Sequence, residues 1–376
     1  MEFFVIYGKG SKMELNDYIR NAMERIETLY YETKGKMYLS FSGGKDSTVL
    51  LQLAKLCYEI GSIPELPKAV FSNTRTELMA TVEFVKWCKE SGWYENIEII
   101  YPERTFAQVV KDEGYPMISK IKSQFLKTYQ DTDDNDKQKK SRLLLLLFGK
   151  SKEESERATS KFQLASKHFN ILHPNLGIKI SDKCCYYLKK LPFEKYAIDN
   201  DIYGYADGEM VDEGGIRATS TQKRINGGGK ICTKTKYISK LKRDLIVKMP
   251  IIDWTKEIEE EFIKKYQVPL SKAYNEYGCK RTGCVGCPYG GSPKDVSERL
   301  EILYKYEKPM YKYCMTVMKN VYIAQNIPLI FDKEYEKERG QMWEEKYDKE
   351  RYEMIKKYRP EKEKKYRVKD VQIKLF

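Results

Sequence analysis

Apolar positions along the chain form short runs and helical stripes that alternate. The run Phe3–Tyr7 predicts a short strand, and Leu15, Ile19, Met23, Ile26 and Leu29 then recur at helical spacing. Tyr38, Leu39 and Phe41 form a second run. A polar turn with two glycines follows, and then a helical stripe at Val49, Leu50, Leu53 and Leu56. Beyond Pro64 and Pro67, Lys68–Phe71 predicts a strand, Thr81, Phe84, Val85 and Cys88 a helix, and Ile97–Tyr101 a third strand. Strands alternating with helices predict an α/β fold with a doubly wound, mostly parallel sheet. From Gly114 to about Leu176 the alternation stops. The segment is charged and helix-prone, and is expected to be a helical insertion with a mobile stretch near 128–140. Further on, Ala197–Met210 has strand character, and Thr255 is placed to cap a helix over Lys256–Tyr266.

The turn after the second run reads Ser42-Gly43-Gly44-Lys45-Asp46-Ser47. Two glycines permit a tight turn without a Cβ clash. Such a turn aims backbone N–H groups and the positive end of the helix at an anion. Ser42 and Ser47 can donate to phosphate, Lys45 can neutralise it, and Asp46 can hold Mg²⁺. The spacing is not that of a Walker A loop. At the end of the next strand, Asn73, Thr74 and Glu77 form a polar cluster where ligands bind in open α/β sheets.

Nine cysteines in a chain of 376 residues do not suit a disulfide scaffold. Cys57 and Cys88 fall on apolar helix faces and read as core thiols, as does Cys314. Cys184-Cys185 and the hairpin Cys284-Val285-Gly286-Cys287-Pro288 offer two pairs of thiolates. Four thiolates suit Zn²⁺ or a [4Fe–4S] cluster, and spacing alone does not separate the two. Cys232 and Cys279 are extra thiols.

Charge sharpens this picture. The net charge is +13, and Gly214–Lys248 alone holds ten Lys/Arg against Asp244, or +9. That segment should face an anionic partner, a nucleic acid among the alternatives. The 331–376 stretch is nearly balanced and reads as a solvated helical face. No apolar run approaches a membrane span, the longest being Leu143–Phe148. The amino-terminal MEFFVIYGKGSK lacks the order of a signal peptide, so a cytoplasmic protein without membrane partners is expected.

SGGKDS at 42–47, Asn73-Thr74 with Glu77, the cysteine pair at 184–185, Gly215-Ile216-Arg217-Ala218, Ile252–Thr255 and the 278–288 stretch GCKRTGCVGCP occur in order. Together they resemble the phosphoadenosine-phosphosulfate reductase superfamily over about residues 36–310, in the style of its phage and DNA-phosphorothioation members. The resemblance implies a Rossmann-like fold of the adenine nucleotide alpha-hydrolase type, with a nucleotide-binding domain at 36–255 carrying the insertion at about 115–176. An amino-terminal strand and helix (1–35) precede it, and a cysteine-bearing segment (256–310) and a helical extension (311–376) follow.

The resemblance also implies roles. Ser42–Ser47, Asn73, Thr74 and Glu77 would bind ATP with Mg²⁺ on Asp46, and Lys45, Asp46 and Arg217 would act in catalysis. Arg217, helped by Arg224, would hold the substrate anion, as a guanidinium fork suits an oxyanion. Cys184, Cys185, Cys284 and Cys287 would ligate a [4Fe–4S] cluster, with zinc the alternative and Cys232 and Cys279 as substitute ligands, sulfur carriers or bystanders. A cysteine desulfurase or a thioredoxin-like protein is the implied donor.

Three departures bear on the reaction. Sulfonucleotide reductases carry an altered phosphate loop, whereas SGGKDS is intact here. Their tail brings a nucleophilic cysteine, whereas this chain ends KDVQIKLF. Thr219-Ser220-Thr221 stands where a Glu-Ser pair is common. ATP cleavage with pyrophosphate release and sulfur transfer is therefore the first expectation. A thioredoxin-dependent sulfonucleotide reductase, or a nucleic-acid-binding component of a modification complex, is the alternative.

Overall fold

A computed structural model describes residues 13–140, 143, 177–213, 215–289 and 292–347; the side chains of 213–219, 346 and 347 lie outside the description. The strand expected at Phe3–Tyr7 and most of the expected insertion lie outside the described residues. The chain forms two compact units. The first comprises 1–73, 79–101 and 191–283, the second 74–78, 102–190 and 284–376.

The first unit holds a six-stranded sheet. Its strands are β1 (Met37–Phe41), β2 (Lys68–Ser72), β3 (Ile97–Ile100), β4 (Gly204–Ala206), β5 (Thr233–Ile238) and β6 (Arg243–Lys248), in the order β3-β2-β1-β4-β6-β5. All neighbours are parallel except β5 and β6, which pair antiparallel as a hairpin at one edge. The first unit's helices are α1 (Leu15–Glu32), α2 (Lys45–Glu59) and α3 (Met79–Glu90), followed, beyond two helices of the second unit, by α6 (Leu191–Asp199), α7 (Gly215–Asn226), α8 (Lys256–Tyr266) and the single turn α9 (Lys272–Asn275). This is the α/β, mostly parallel sheet that the alternation predicts.

Side chains alternate across the sheet with period two. Leu39 pairs with Ala69 and Phe41 with Phe71, and these four enter one core with Ile26 and Leu29 of α1, Leu50 and Leu53 of α2, Val85 of α3 and Phe262 of α8. Tyr38 and Val70 enter the opposite core with Tyr196 and Ala197 of α6 and Leu245 of β6. A one-residue slip of β1 would exchange the two sets, so burial on both faces fixes the register. Cys57 and Cys88 are fully buried in the first core, as expected of structural thiols.

One reading needs correction. The strand character assigned to Ala197–Met210 shrinks to Gly204–Ala206, because Leu191–Asp199 is a helix. Tyr196 and Ala197 of that helix turn inward and are buried. Apolar residues buried on a helix face had imitated a strand.

The second unit is helical around one parallel bridge between Tyr115 and Ile180. It contains α4 (Phe106–Glu113), α5 (Lys120–Asp131), a wide turn of π-helix at Tyr186–Lys190, α10 (Pro293–Tyr306), α11 (Lys308–Ala324) and α12 (Lys333–Met342). Thr105 caps α4 and Ser292 caps α10, each in a reciprocal capping box. Cys314 is buried on α11, as its apolar context predicts. Among the described residues no helix is long and apolar enough to cross a membrane.

Candidate active site

In the first unit, strands leave β1 in both directions: β2 and β3 on one side, β4 and the hairpin on the other. The crevice at such a reversal, beyond the carboxyl ends of the strands, is where open α/β sheets take ligands. The loop after β1 enters it as Ser42-Gly43-Gly44, and α2 begins at Lys45. Gly43 has φ +68°, and a Cβ there would lie 2.6 Å from Thr81 Cγ2. Both the turn and the space therefore require glycine. Gly208, just after β4, runs close beneath α2: a Cβ on it would lie 2.9 Å from the Asp46 carbonyl oxygen.

The loop's serines bond to each other. Ser42 Oγ and Ser47 Oγ are 3.0 Å apart, the Gly44 N–H donates to Ser42 Oγ, and Ser47 Oγ donates to the Gly44 carbonyl. The Lys45 N–H donates to the Tyr274 hydroxyl at 3.1 Å, and that hydroxyl lies 3.2 Å from Thr282 Oγ1. Lys45 Nζ lies 2.7 Å from Oε2 of Glu259, a carboxylate on α8 with no exposed surface. Burial pushes the Glu259 carboxyl up to about 7, with the charge of Asp46 in the same direction and Lys45 opposing. Burial disfavours the Lys45 charge, but its bond to Glu259 and the charges of Glu259, Glu260 and Asp46 together outweigh that and hold its pKa above the usual lysine value.

Glu259, Tyr274 and Thr282 are site residues that the sequence reading missed. Glu259 alone carried a signal. It shares the buried stripe of α8 with Phe262, and a carboxylate on an apolar stripe asks for a partner.

The basic segment folds as α7 and the β5–β6 hairpin. Arg217 is in the first turn of α7, and its side chain lies outside the described residues. Arg224 is seven positions on, hence on the same helix face. Its guanidinium donates to Thr221 Oγ1 at 3.1 Å. Much of the segment's charge is locally matched: Lys234 pairs with Glu209, Lys236 with Glu194 and Arg243 with Asp201. Cys232 immediately precedes β5, beside Thr233, and Cys279 follows α9.

In the second unit, one pocket is lined by all four cysteines of the two pairs, with Phe106, Leu188 and Val285 among its apolar walls. Cys184 precedes the π turn and packs with Val109 and Leu188. Burial first, then the neighbouring Cys284, Cys185 and Cys287, raise its thiol far above the usual cysteine range. Burial and Cys284 likewise push Cys287 up to about 12, against the Tyr289 N–H that donates to its sulfur at 3.5 Å. Cys185 is raised by burial and by Cys284, with Lys120 and Lys189 opposing. Among the described residues no three His, Cys, Asp or Glu side chains form a ready metal-ligand group. Cys232 and Cys279 are not lining residues of this pocket.

Thr74 and Glu77, expected at the nucleotide, are in the second unit bound to each other. The Thr74 N–H and hydroxyl both donate to the Glu77 carboxylate, at 2.9 and 2.8 Å. Glu77 Oε1 also lies 3.9 Å from Lys189 Nζ, and Thr74 Oγ1 lies 4.0 Å from Cys284 Sγ. The charge of Cys284 raises the Lys189 ammonium well above the usual lysine range, against burial and with Glu77 in support. Lys189 thus lines the cysteine pocket, with Glu77 and Thr74 beside it. Asn73 follows β2 in the first unit, its N–H donating to the Ile100 carbonyl.

The family model described as phosphoadenosine phosphosulfate reductase domain matches residues 36–289. A crystal structure of phosphoadenylyl-sulfate (PAPS) reductase from Candida auris, a phosphate complex, aligns at 12% identity and a TM-score of 0.39. It covers 74% of this chain and 98% of that one. No curated protein matches this sequence.

Proposed function

The chain belongs to the phosphoadenosine phosphosulfate reductase domain family, and on that footing we propose that it is an ATP-using member that releases pyrophosphate and supports sulfur transfer. The observation that carries this reading is the intact SGGKDS loop, with its left-handed Gly43, at the start of α2 beside the sheet's reversal point. An acceptor oxygen attacks the α-phosphorus, the bond from Pα to the β-bridging oxygen breaks, and the electron pair leaves on pyrophosphate. The chain's part is electrostatic. Backbone N–H groups of the loop and the Lys45 ammonium stabilise the charge gathering on the leaving group, and Asp46 would hold a Mg²⁺ that adds to it. Buried Glu259 fixes where that ammonium stands. Arg217 and Arg224 hold the anionic part of the acceptor.

The donor set of the second unit fits a metal group. Four thiols line one pocket with apolar walls, and a bound cation compensates the charge of the thiolates that ligate it. Cys184, Cys185, Cys284 and Cys287 would hold a [4Fe–4S] cluster, or zinc. When bound, a cluster supplies an iron site or redox equivalents for sulfur handling. A cysteine desulfurase or thioredoxin-like protein is the proposed donor, and the phage or DNA-phosphorothioation setting is part of the same proposal.

The matching family's name favours a second reading, a thioredoxin-dependent reductase of adenylyl sulfates. One pair of assays separates the two. Pyrophosphate and AMP formed from Mg·ATP support the first, while sulfite released from an adenylyl sulfate with thioredoxin, and no pyrophosphate from ATP, replaces it with the second.

A further inference from the structure

The turn that carries Cys284 and Cys287 is held from behind by two helices that follow the matched family region. The turn closes with the Cys287 N–H donating to the Cys284 carbonyl at 3.4 Å, and Gly286 takes φ +66° at its third position. Exposed loops usually leave such carbonyls to water. Here the Gly286 carbonyl accepts from the Tyr322 hydroxyl of α11 at 2.7 Å. The Cys287 carbonyl accepts from the Arg299 guanidinium of α10 at 2.9 Å. Tyr322 has no exposed surface. The space behind the turn is closed as well: a Cβ on Gly286 would lie 2.4 Å from Tyr322 Oη and 2.7 Å from Cys314 Sγ. On the turn's other side the Val285 N–H donates to the Thr76 carbonyl at 2.5 Å.

We propose that Arg299 and Tyr322 are positioning residues for the cysteine site, fixing the Cys284–Cys287 turn so that its two sulfurs stay directed into the pocket with Cys184 and Cys185. Both residues lie beyond the 36–289 stretch that the family model matches, so α10 and α11 supply what that stretch leaves open in this chain. A turn whose carbonyls are held by one buried and one half-buried donor reorganises little when it takes a metal, and releases it slowly. Outer partners of this kind commonly change metal affinity by about 10- to 100-fold. The inference rests on the reading that the four cysteines hold a metal group, but it also makes a claim about the metal-free turn.

The test uses the full chain, purified anaerobically as wild type and as Tyr322→Phe, Arg299→Lys, Arg299→Leu and Cys284→Ser, with iron and zinc counted. Tyr322→Phe removes one oxygen and keeps the ring, and circular dichroism verifies that each variant is folded. Metal loss to excess EDTA is followed by absorbance and by metal content. Tyr322→Phe and Arg299→Leu should lose metal about tenfold faster than wild type or more, with Arg299→Lys between. Folded variants that lose it at the wild-type rate overturn the inference, even while Cys284→Ser, unable to load, upholds the cysteine assignment. If wild type carries neither iron nor zinc, the cysteine assignment itself fails. The inference is then decided by iodoacetamide labelling of Cys284 and Cys287, resolved by mass spectrometry: faster labelling in Tyr322→Phe and Arg299→Leu sustains it, and equal labelling overturns it.

Discussion

Lys45 Nζ stands 2.7 Å from Oε2 of Glu259, so the one lysine of the phosphate loop is tethered to a carboxylate with no exposed surface. A lysine on a four-carbon stem otherwise samples many positions, and the tether gives this one a defined place before any nucleotide arrives. Burial and Asp46 push the Glu259 carboxyl up to about 7 from its ordinary 4.5. The folded protein therefore holds that proton more tightly than the unfolded chain. The resulting stabilisation is complete below about pH 4.5 and is lost as pH rises through about 7. In the metal- and nucleotide-free protein, urea unfolding at pH 5 and pH 8 should show this loss, on the order of 3 kcal/mol. Glu259→Gln should remove this component of the difference. An unchanged pH dependence in the variant would place the titration elsewhere.

Gly43 tests the loop geometry. Its φ of +68° and the 2.6 Å approach to Thr81 Cγ2 both oppose a side chain. Gly43→Ala should cost about 1–3 kcal/mol of stability and weaken ATP binding together. Thermal unfolding and nucleotide titration report the two effects, and wild-type behaviour in both would contradict the described turn.

The cysteine pocket predicts a metal phenotype. Cys184→Ser and Cys284→Ser should each abolish stoichiometric iron or zinc, while Cys57→Ser, in the sheet core, should cost stability and leave metal content per folded chain unchanged. Elemental analysis of the folded fractions decides. Metal retained in Cys284→Ser would remove the hairpin from the ligand set.

Arg217→Ala should raise KM for the anionic acceptor by tenfold or more, about the 1.4 kcal/mol or greater of a charge-assisted pair, with metal content unchanged. Equal KM would move the anion site off α7.

Much of the first unit was legible because strand and helix periods are local. Leu39 and Phe41 alternate with Tyr38, and Val49, Leu50 and Leu53 follow at helical spacing, so β1, the loop and α2 appear in one reading. Thr255 is legible for the same reason: a cap acts three residues away, on the Ile258 N–H. Ala197–Met210 misled because a short buried helix face and a buried strand share an apolar composition.

The partners of the site were harder to read. Tyr274 meets Lys45 across 229 positions, and Tyr322 meets Gly286 across 36. No period links such pairs. The two cysteine pairs were visible as chemistry, but their shared pocket, and the way Thr74, Glu77 and Lys189 gather around it, belongs to the fold of the second unit.

The central claim is cleavage of ATP between its α- and β-phosphates at the SGGKDS loop. The most direct measurement is anaerobic pyrophosphate release from Mg·ATP, on metal-counted protein, for wild type and for Asp46→Ala. Wild type should release pyrophosphate and a folded Asp46→Ala protein should not, because the half-buried turn loses the carboxylate that would hold Mg²⁺. Release unchanged in Asp46→Ala, or sulfite from an adenylyl sulfate with no pyrophosphate from ATP, would contradict it.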